Sequence, residues 1–214
     1  MRGLFISFEG NDGSGKSSAI QAVYNKLLSL GYDVVLTREP GGSKIAEKIR
    51  DIILDTDNTG MDPMTEALLY AASRREHIIK TILPAIAAGK VVLCDRFLDS
   101  SLAYQGNARK LGMNKVNELN QFATNGLLPD LTLFVCVHAE VGLARIKRNL
   151  RDMDRLELEA IEFHRNVYEG YEELLKLYPN RIRKIDGEQS MEDVANSSIE
   201  TVLTFIKEKK QSEN

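Results

Sequence analysis

The first chemical signal in this chain is a run of small residues ending in a cation and a hydroxyl. Gly10-Asn11-Asp12-Gly13-Ser14-Gly15-Lys16-Ser17 matches the spacing G-x-x-x-x-G-K-[ST], and Ser18 follows it. Glycines at these positions let backbone N–H groups turn inward around phosphate oxygens, which side chains would obstruct. Lys16 would neutralise charge on β- and γ-phosphates, and the Ser17 hydroxyl would ligate Mg2+. The residues from Gly10 to Ser18 are therefore candidates for binding ATP, with Lys16 as a catalytic cation. Such a match arises by accident in a chain of this length at roughly one in a hundred or less. The guanine-reading signal N-K-x-D is absent: Asn25-Lys26-Leu27-Leu28 and Asn114-Lys115-Val116-Asn117 both lack the aspartate, which argues against a GTPase.

A second cluster sits after the apolar run Val91-Val92-Leu93-Cys94, where Asp95-Arg96 resembles the end of a Walker B strand. Asp95 and Ser17 form the candidate metal pair, and Arg96 would face an acceptor phosphate. Arg38, Arg50, Arg74 and Arg75 fall where further strand ends and helices should place them. A single arginine is usually a solvated surface charge. Several around one site suit an acceptor that is already phosphorylated, because guanidinium grips phosphate bidentately. A neutral hydroxyl acceptor would instead need a carboxylate base. Arg145, Arg148, Arg151 and Arg155 interrupt the helical period and read as a mobile lid at about 148–156, with Arg151 as a catalytic candidate.

These residues need a scaffold that brings strand ends together. Short β-rich runs at 4–8, 33–37, 91–94, 131–137 and 182–185 alternate with helical periods at 16–30, 45–54, 66–88, 114–125, 141–149, 157–178 and 191–209. Gly31 reads as a helix C-cap, Ser190 as an N-cap and Pro84 as a break or kink, with a polar loop after residue 95. Alternation of this kind implies βαβ units in a parallel sheet. The expected architecture is a single α/β domain over residues 1–214: a P-loop NTPase three-layer fold, with a five-stranded parallel sheet and helices on both faces. Apolar residues make up 43% of the 214 positions and the net charge is −3, so no global basic field attracts nucleic acid or an anionic membrane. No run approaches the roughly 20 apolar residues of a membrane span, and the N-terminus has no signal-peptide pattern. Cys94 and Cys136 lie in apolar runs and read as buried thiols, and His77, His138 and His164 share no metal spacing. The expected location is the cytoplasm.

Taken together the motifs resemble thymidylate kinase along nearly the whole chain. Besides the phosphate loop, the resemblance rests on Thr37-Arg-Glu-Pro-Gly-Gly42, the helix from Leu68 to His77, the block from Val91 to Gly106, the run from Asn125 to Val135 and the stretch from Arg151 to Glu157. It implies ATP- and Mg2+-dependent phosphorylation of dTMP to dTDP, and a homodimer. By the same resemblance Asp12 bonds the sugar 3′-hydroxyl, and Arg50 and Arg96 clamp the dTMP phosphate beside Arg38 and Glu39. Tyr70 stacks on thymine, where the family usually has Phe. Arg74 and Gln105 read the base edge with Ser101 nearby, and Tyr104 crowds the sugar C2′ position. Gly13 stands where one form of the family carries arginine, so the chain looks like the bacterial form with lid arginines. A deoxynucleoside kinase and an ATP-dependent regulatory switch are the competing readings.

Overall fold

Five β-rich runs form one parallel sheet. The computed structural model describes residues 2–148 and 154–212. The strands are β1 (Phe5–Glu9), β2 (Val34–Arg38), β3 (Val91–Asp95), β4 (Leu131–Cys136) and β5 (Ile182–Asp186), in the spatial order β2-β3-β1-β4-β5. All four pairings are parallel. The order reverses at β1, between its neighbours β3 and β4, which opens a crevice beyond their carboxyl ends.

The period-two alternation of the strands divides two cores. Ile6, Phe8, Val91, Leu93, Leu133 and Val135 face a layer built by α1 (Lys16–Ser29) and α9 (Met191–Ser212), through Ile20, Val23, Val194 and Val202. Phe5, Val92, Cys94, Phe134 and Cys136 face the opposite layer, where Ile78, Leu102, Val167 and Tyr171 meet them. On that second face Ser7 and Thr132 bond each other at 2.8 Å, and Thr132 donates to the buried Asp99. Arg181 closes on both Asp99 carboxylate oxygens at 2.6 and 2.7 Å, so the buried charge is paired.

The remaining helices are α2 (Lys44–Leu54), α3 (Pro63–His77), α4 (Leu83–Ala87), α5 (Leu98–Ser101), α6 (Met113–Thr124), α7 (Ala139–Arg148) and α8 (Ile161–Leu177). Asp62 caps α3 by accepting from the N–H groups of Met64 and Thr65 at 3.0 Å, so the helix starts before residue 66. Its interruption comes ahead of Pro84, as a π-turn over Ile78–Ile82. Gly31 takes the left-handed conformation after α1, and Ser190 accepts from the Asp193 N–H at 3.1 Å.

The expected polar loop after β3 is instead helical. Leu98–Ser101 is α-helical and Leu102–Ala108 is a π-helix. The polar residues that suggested a loop are buried and satisfied from afar: Asp99 by Arg181, Ser100 by Glu9, Ser101 by Arg74, Gln105 by Glu66. The π-helix crosses α8 closely at Gly170, where a Cβ would stand 3.0 Å from Ala103 Cα. Helix α8 begins at Ile161, later than expected, because Asp154 turns the preceding chain by accepting from the Leu156 and Glu157 N–H groups.

Candidate active site

The turn between β1 and α1 is built for a ligand's oxygens. Gly15, at φ +88°, occupies the N-cap of α1 and no side chain caps the helix, so its first-turn N–H groups face outward. Gly13 sits at φ +75°, and a Cβ there would stand 2.2 Å from the Gly142 carbonyl oxygen of α7. Asn11 is buried and donates to the Val137 carbonyl at 2.9 Å, fastening the loop to the end of β4. Arg145 of α7 donates to the Gly187 carbonyl at 2.8 Å and the Gly13 carbonyl at 3.4 Å.

Asp12, Gly13, Gly15, Lys16, Ser17 and Ser18 line a cleft of about 470 Å³ at the carboxyl edge of the sheet. Lys16 is buried, with its Nζ 3.9 Å from Asp12. Burial and the neighbouring Arg96 charge lower its pKa, against the pull of Asp95 and Asp12.

The Ser17 hydroxyl donates to Asp95 Oδ2 at 2.8 Å. Asp95 Oδ1 is buried and meets no donor among the described residues, and Ser14 Oγ is in the same condition. A hydroxyl and a carboxylate with an oxygen to spare suit a hard cation such as Mg2+, which takes one or two protein oxygens and completes its shell with water and phosphate. The residues fit the metal. No cluster of three or more His, Cys, Asp or Glu that could hold a metal by itself occurs among the described residues.

Arg96 follows β3 with φ +71°, a left-handed backbone unusual outside glycine, and this turns its side chain under the phosphate loop. Its guanidinium donates to Asp12 Oδ1 at 2.6 Å, the Gly10 carbonyl at 2.8 Å and the Tyr104 hydroxyl at 3.1 Å. Longer contacts of 3.3 Å reach Ser100 and Tyr171. Tyr104 donates to the other oxygen of Asp12 at 2.8 Å. Burial alone would raise the Asp12 carboxyl, but Arg96, Lys16 and the Tyr104 bond outweigh it and hold it far below the usual carboxylate range.

The other expected acceptor residues divide into two groups. Arg38, Glu39, Arg50, Tyr70, Tyr104 and Gln105 line the cleft with Arg96. Arg38 forks onto Glu47 at 2.8 and 3.0 Å, and Arg50 donates to the Pro40 carbonyl at 2.9 Å after a cis Glu39–Pro40 bond. Arg74 and Ser101 lie behind this wall. Arg74 is fully buried and donates to Glu39 at 2.8 Å, to Ser101 and the Phe97 carbonyl at 3.0 Å, and to Asn120. Four of its five N–H groups are thereby committed. His77, expected to be unremarkable, is buried and bridges Glu39 and Thr37 at 2.9 and 2.7 Å.

Of the lid arginines, Arg151 lies outside the described residues, and Arg148 is exposed at the end of α7. Arg155 does not belong to a mobile charge cluster. It is buried, donating to Glu66 and the Ile53 carbonyl at 2.7 Å each, because a carboxylate buried in α3 demands a cationic partner.

Sequence reasoning missed Glu9, Ser100 and Tyr171. Glu9 accepts from the Phe97 N–H at 2.7 Å, from Ser100 at 2.5 Å and from Tyr171 at 3.0 Å, directly behind Arg96. Burial, with the nearby charge of Asp99, pushes its carboxyl up from 4.5 to about 7. A lone glutamate ending a run of apolar strand residues was the available signal. Nothing local marks Tyr171.

A family model described as Thymidylate kinase matches residues 8–198. A thymidylate kinase of Oceanobacillus iheyensis is 50% identical over 215 residues, spanning 100% of this chain and 96% of the relative. One from Halalkalibacterium halodurans is 52% identical over 202 residues, covering 94% and 96%. The crystal structure of thymidylate kinase from Ehrlichia chaffeensis superposes with a TM-score of 0.76 at 31% identity, covering 95% of this chain and 99% of that one. The sheet order, the phosphate loop and these full-length likenesses agree, and the chain belongs to the thymidylate kinase family.

Proposed function

We propose that the cleft takes ATP on its phosphate-loop side and dTMP on the Arg96 side, and that the chain transfers the terminal phosphoryl group of ATP to give dTDP. The observation carrying this reading is that Lys16, the Ser17–Asp95 pair and the Asp12–Arg96–Tyr104 triangle open onto one cleft. Lys16, its Nζ 3.9 Å from Asp12, neutralises charge where the phosphoryl group moves. Mg2+, bound through Ser17 and Asp95, would supply further charge neutralisation on the triphosphate. Arg96 and Arg50 hold the acceptor phosphate, with Arg38 and Glu39 beside them, and Asp12 accepts from the sugar 3′-hydroxyl. Tyr104, pinned to Asp12, forms the wall against a 2′-hydroxyl. Tyr70 offers its ring face to the base, and Gln105 its amide.

The acceptor is already nucleophilic, so alignment and charge do the work and no base is needed. A nucleoside kinase would need a carboxylate free to take a proton, whereas Asp12 is held ionised and weakly basic by Arg96. With Gly13 in the loop, charge between donor and acceptor is met in this reading by Arg151, in the lid expected at about 148–156 of a single domain, whose far end Arg155 anchors on Glu66. Arg151→Ala should lower kcat, by less than the roughly thousandfold seen for supplied arginines elsewhere, with little change in KM for dTMP. We place the reaction in the cytoplasm and its catalyst in a homodimer. No helix among the described residues is long and apolar enough to cross a membrane.

A coupled assay with ATP and Mg2+ tests the reading by offering dTMP, dUMP, dCMP, thymidine and no acceptor. ADP release that depends on dTMP is expected. Thymidine-dependent or acceptor-independent release would overturn the assignment. Lys16→Ala should lose roughly a hundredfold or more in kcat while retaining the unmodified circular dichroism spectrum.

A further inference from the structure

Glu66 lies in the first turns of α3, outside the cleft, and is completely buried. Four N–H donors meet its two oxygens. Gln105 Nε2 at 2.8 Å and Arg109 Nε at 3.3 Å reach Oε1, while Arg109 at 3.1 Å and Arg155 at 2.7 Å reach Oε2. A carboxylate has about four lone-pair directions, and all are taken. Guanidinium can only donate, so the two arginines require an accepting carboxylate. That carboxylate in turn accepts only the NH2 end of the Gln105 amide and never its oxygen. The amide is 1% exposed and cannot turn away. Among the described residues no protein donor reaches Gln105 Oε1, and Gln105 lines the cleft.

We propose that Glu66 is a positioning residue for specificity: it fixes the rotation of the Gln105 amide, so that the pocket presents a carbonyl oxygen and selects pyrimidines carrying a hydrogen on N3. This rests on the reading of the cleft as a dTMP site. Thymine and uracil have an N3–H to donate. Cytosine has a bare lone pair at N3, which would face the oxygen with nothing between them. A buried polar mismatch of this kind discriminates far more strongly than shape does.

Glu66→Gln tests the assignment while keeping the volume. The new amide can present N–H to Gln105 Oε1, which frees the opposite rotation and offers an N–H to N3 of cytosine. The ratio of kcat/KM for dTMP over dCMP should fall by about tenfold or more, chiefly through KM. An equal loss with both acceptors, or no change in the ratio, would overturn the proposal in favour of a purely structural Glu66. Loss of a counter-charge near Arg109 and Arg155 can impair folding, so a second measurement uses the unmodified protein. In its 1H–15N spectrum the Gln105 side-chain amide, assigned by its disappearance in Gln105→Met, should show one strongly downfield proton that persists when dTMP is added. Two averaged amide protons would overturn the fixed rotation. The unmodified enzyme run in parallel separates the readings: if it ignores dTMP, the functional assignment falls and this inference with it. If it turns over dTMP while the ratio is unmoved in Glu66→Gln, only the role of Glu66 falls.

Discussion

Arg96 holds a left-handed backbone that costs on the order of 1–3 kcal/mol in a non-glycine residue, and the bonds of its guanidinium to Asp12, Gly10 and Tyr104 offset it. A lysine ammonium keeps the charge but cannot span these three groups and a phosphate in one plane. Arg96→Lys should therefore lose about tenfold or more in kcat/KM for dTMP, and Arg96→Ala about a hundredfold more than that. Near-normal steady-state kinetics for the lysine variant would mean that Arg96 acts as a point charge. Behind it, Glu9 gives a pH signature. Its carboxyl is raised from 4.5 to about 7, so between those values the folded chain binds more protons than the unfolded one. Its contribution to stability is thus full below pH 4.5 and is lost as pH rises through 7. Glu9→Gln removes that dependence. The stability of the variant relative to the unmodified protein should climb from pH 5 to pH 8 by up to roughly 3 kcal/mol, measured by urea denaturation. A difference independent of pH would show that Glu9 is charged throughout. Lys16, Ser17, Asp95 and Arg96, which the structure brings to one cleft, stood out as candidates in the sequence because short motifs carry them. Tyr171 and Glu9 stand 162 positions apart, and only the packed fold joins them.

At the scale of elements, β-rich runs marked all five strands and hydrophobic period most helices; β1, β3 and β4 are buried along nearly their whole length, as covered parallel strands are. The π-helix at 102–108 escaped because periodicity assigns polar residues to solvent. Asp99, Ser101 and Gln105 are buried against partners 27–82 positions away. The contact of α7 with the phosphate loop was equally hidden. A Cβ on Gly142 would stand 2.5 Å from the Asp12 carbonyl oxygen. Gly142→Ala should raise local helix propensity yet destabilise the protein by about 1–3 kcal/mol, because backbone must move. The displaced loop should also raise KM for ATP more than KM for dTMP. Parallel thermal melts and initial-rate measurements check both parts, and a stabilised variant with unaltered KM values would refute the contact.

The whole molecule leaves apolar side chains uncovered on neighbouring helices. Helix α2 packs on α3, and α3 on α6. Ile45 and Ile52, Met64 and Leu68, and Phe122 at 88% exposure lie on these three. The proposed homodimer would cover them and so account for residues which otherwise meet water. Sedimentation should give twice the 24.0 kDa chain mass, and Phe122→Asp should shift the population towards monomer. An unmodified protein that sediments as a monomer at micromolar concentration would rule this out.

The placement of α9 has a consequence for the order of synthesis. It is the last of the described elements, yet its Val194, Val202 and Ile206 close the core over Ile6, Phe8 and Leu133. At ribosomal speeds of about 5–20 residues per second, the cleft residues from Asp12 to Glu157 are complete several seconds before those apolar residues arrive. A nascent chain halted after β5 should carry the cleft residues while α1 alone covers that side of the sheet, leaving a bare apolar surface for chaperones or for another nascent chain.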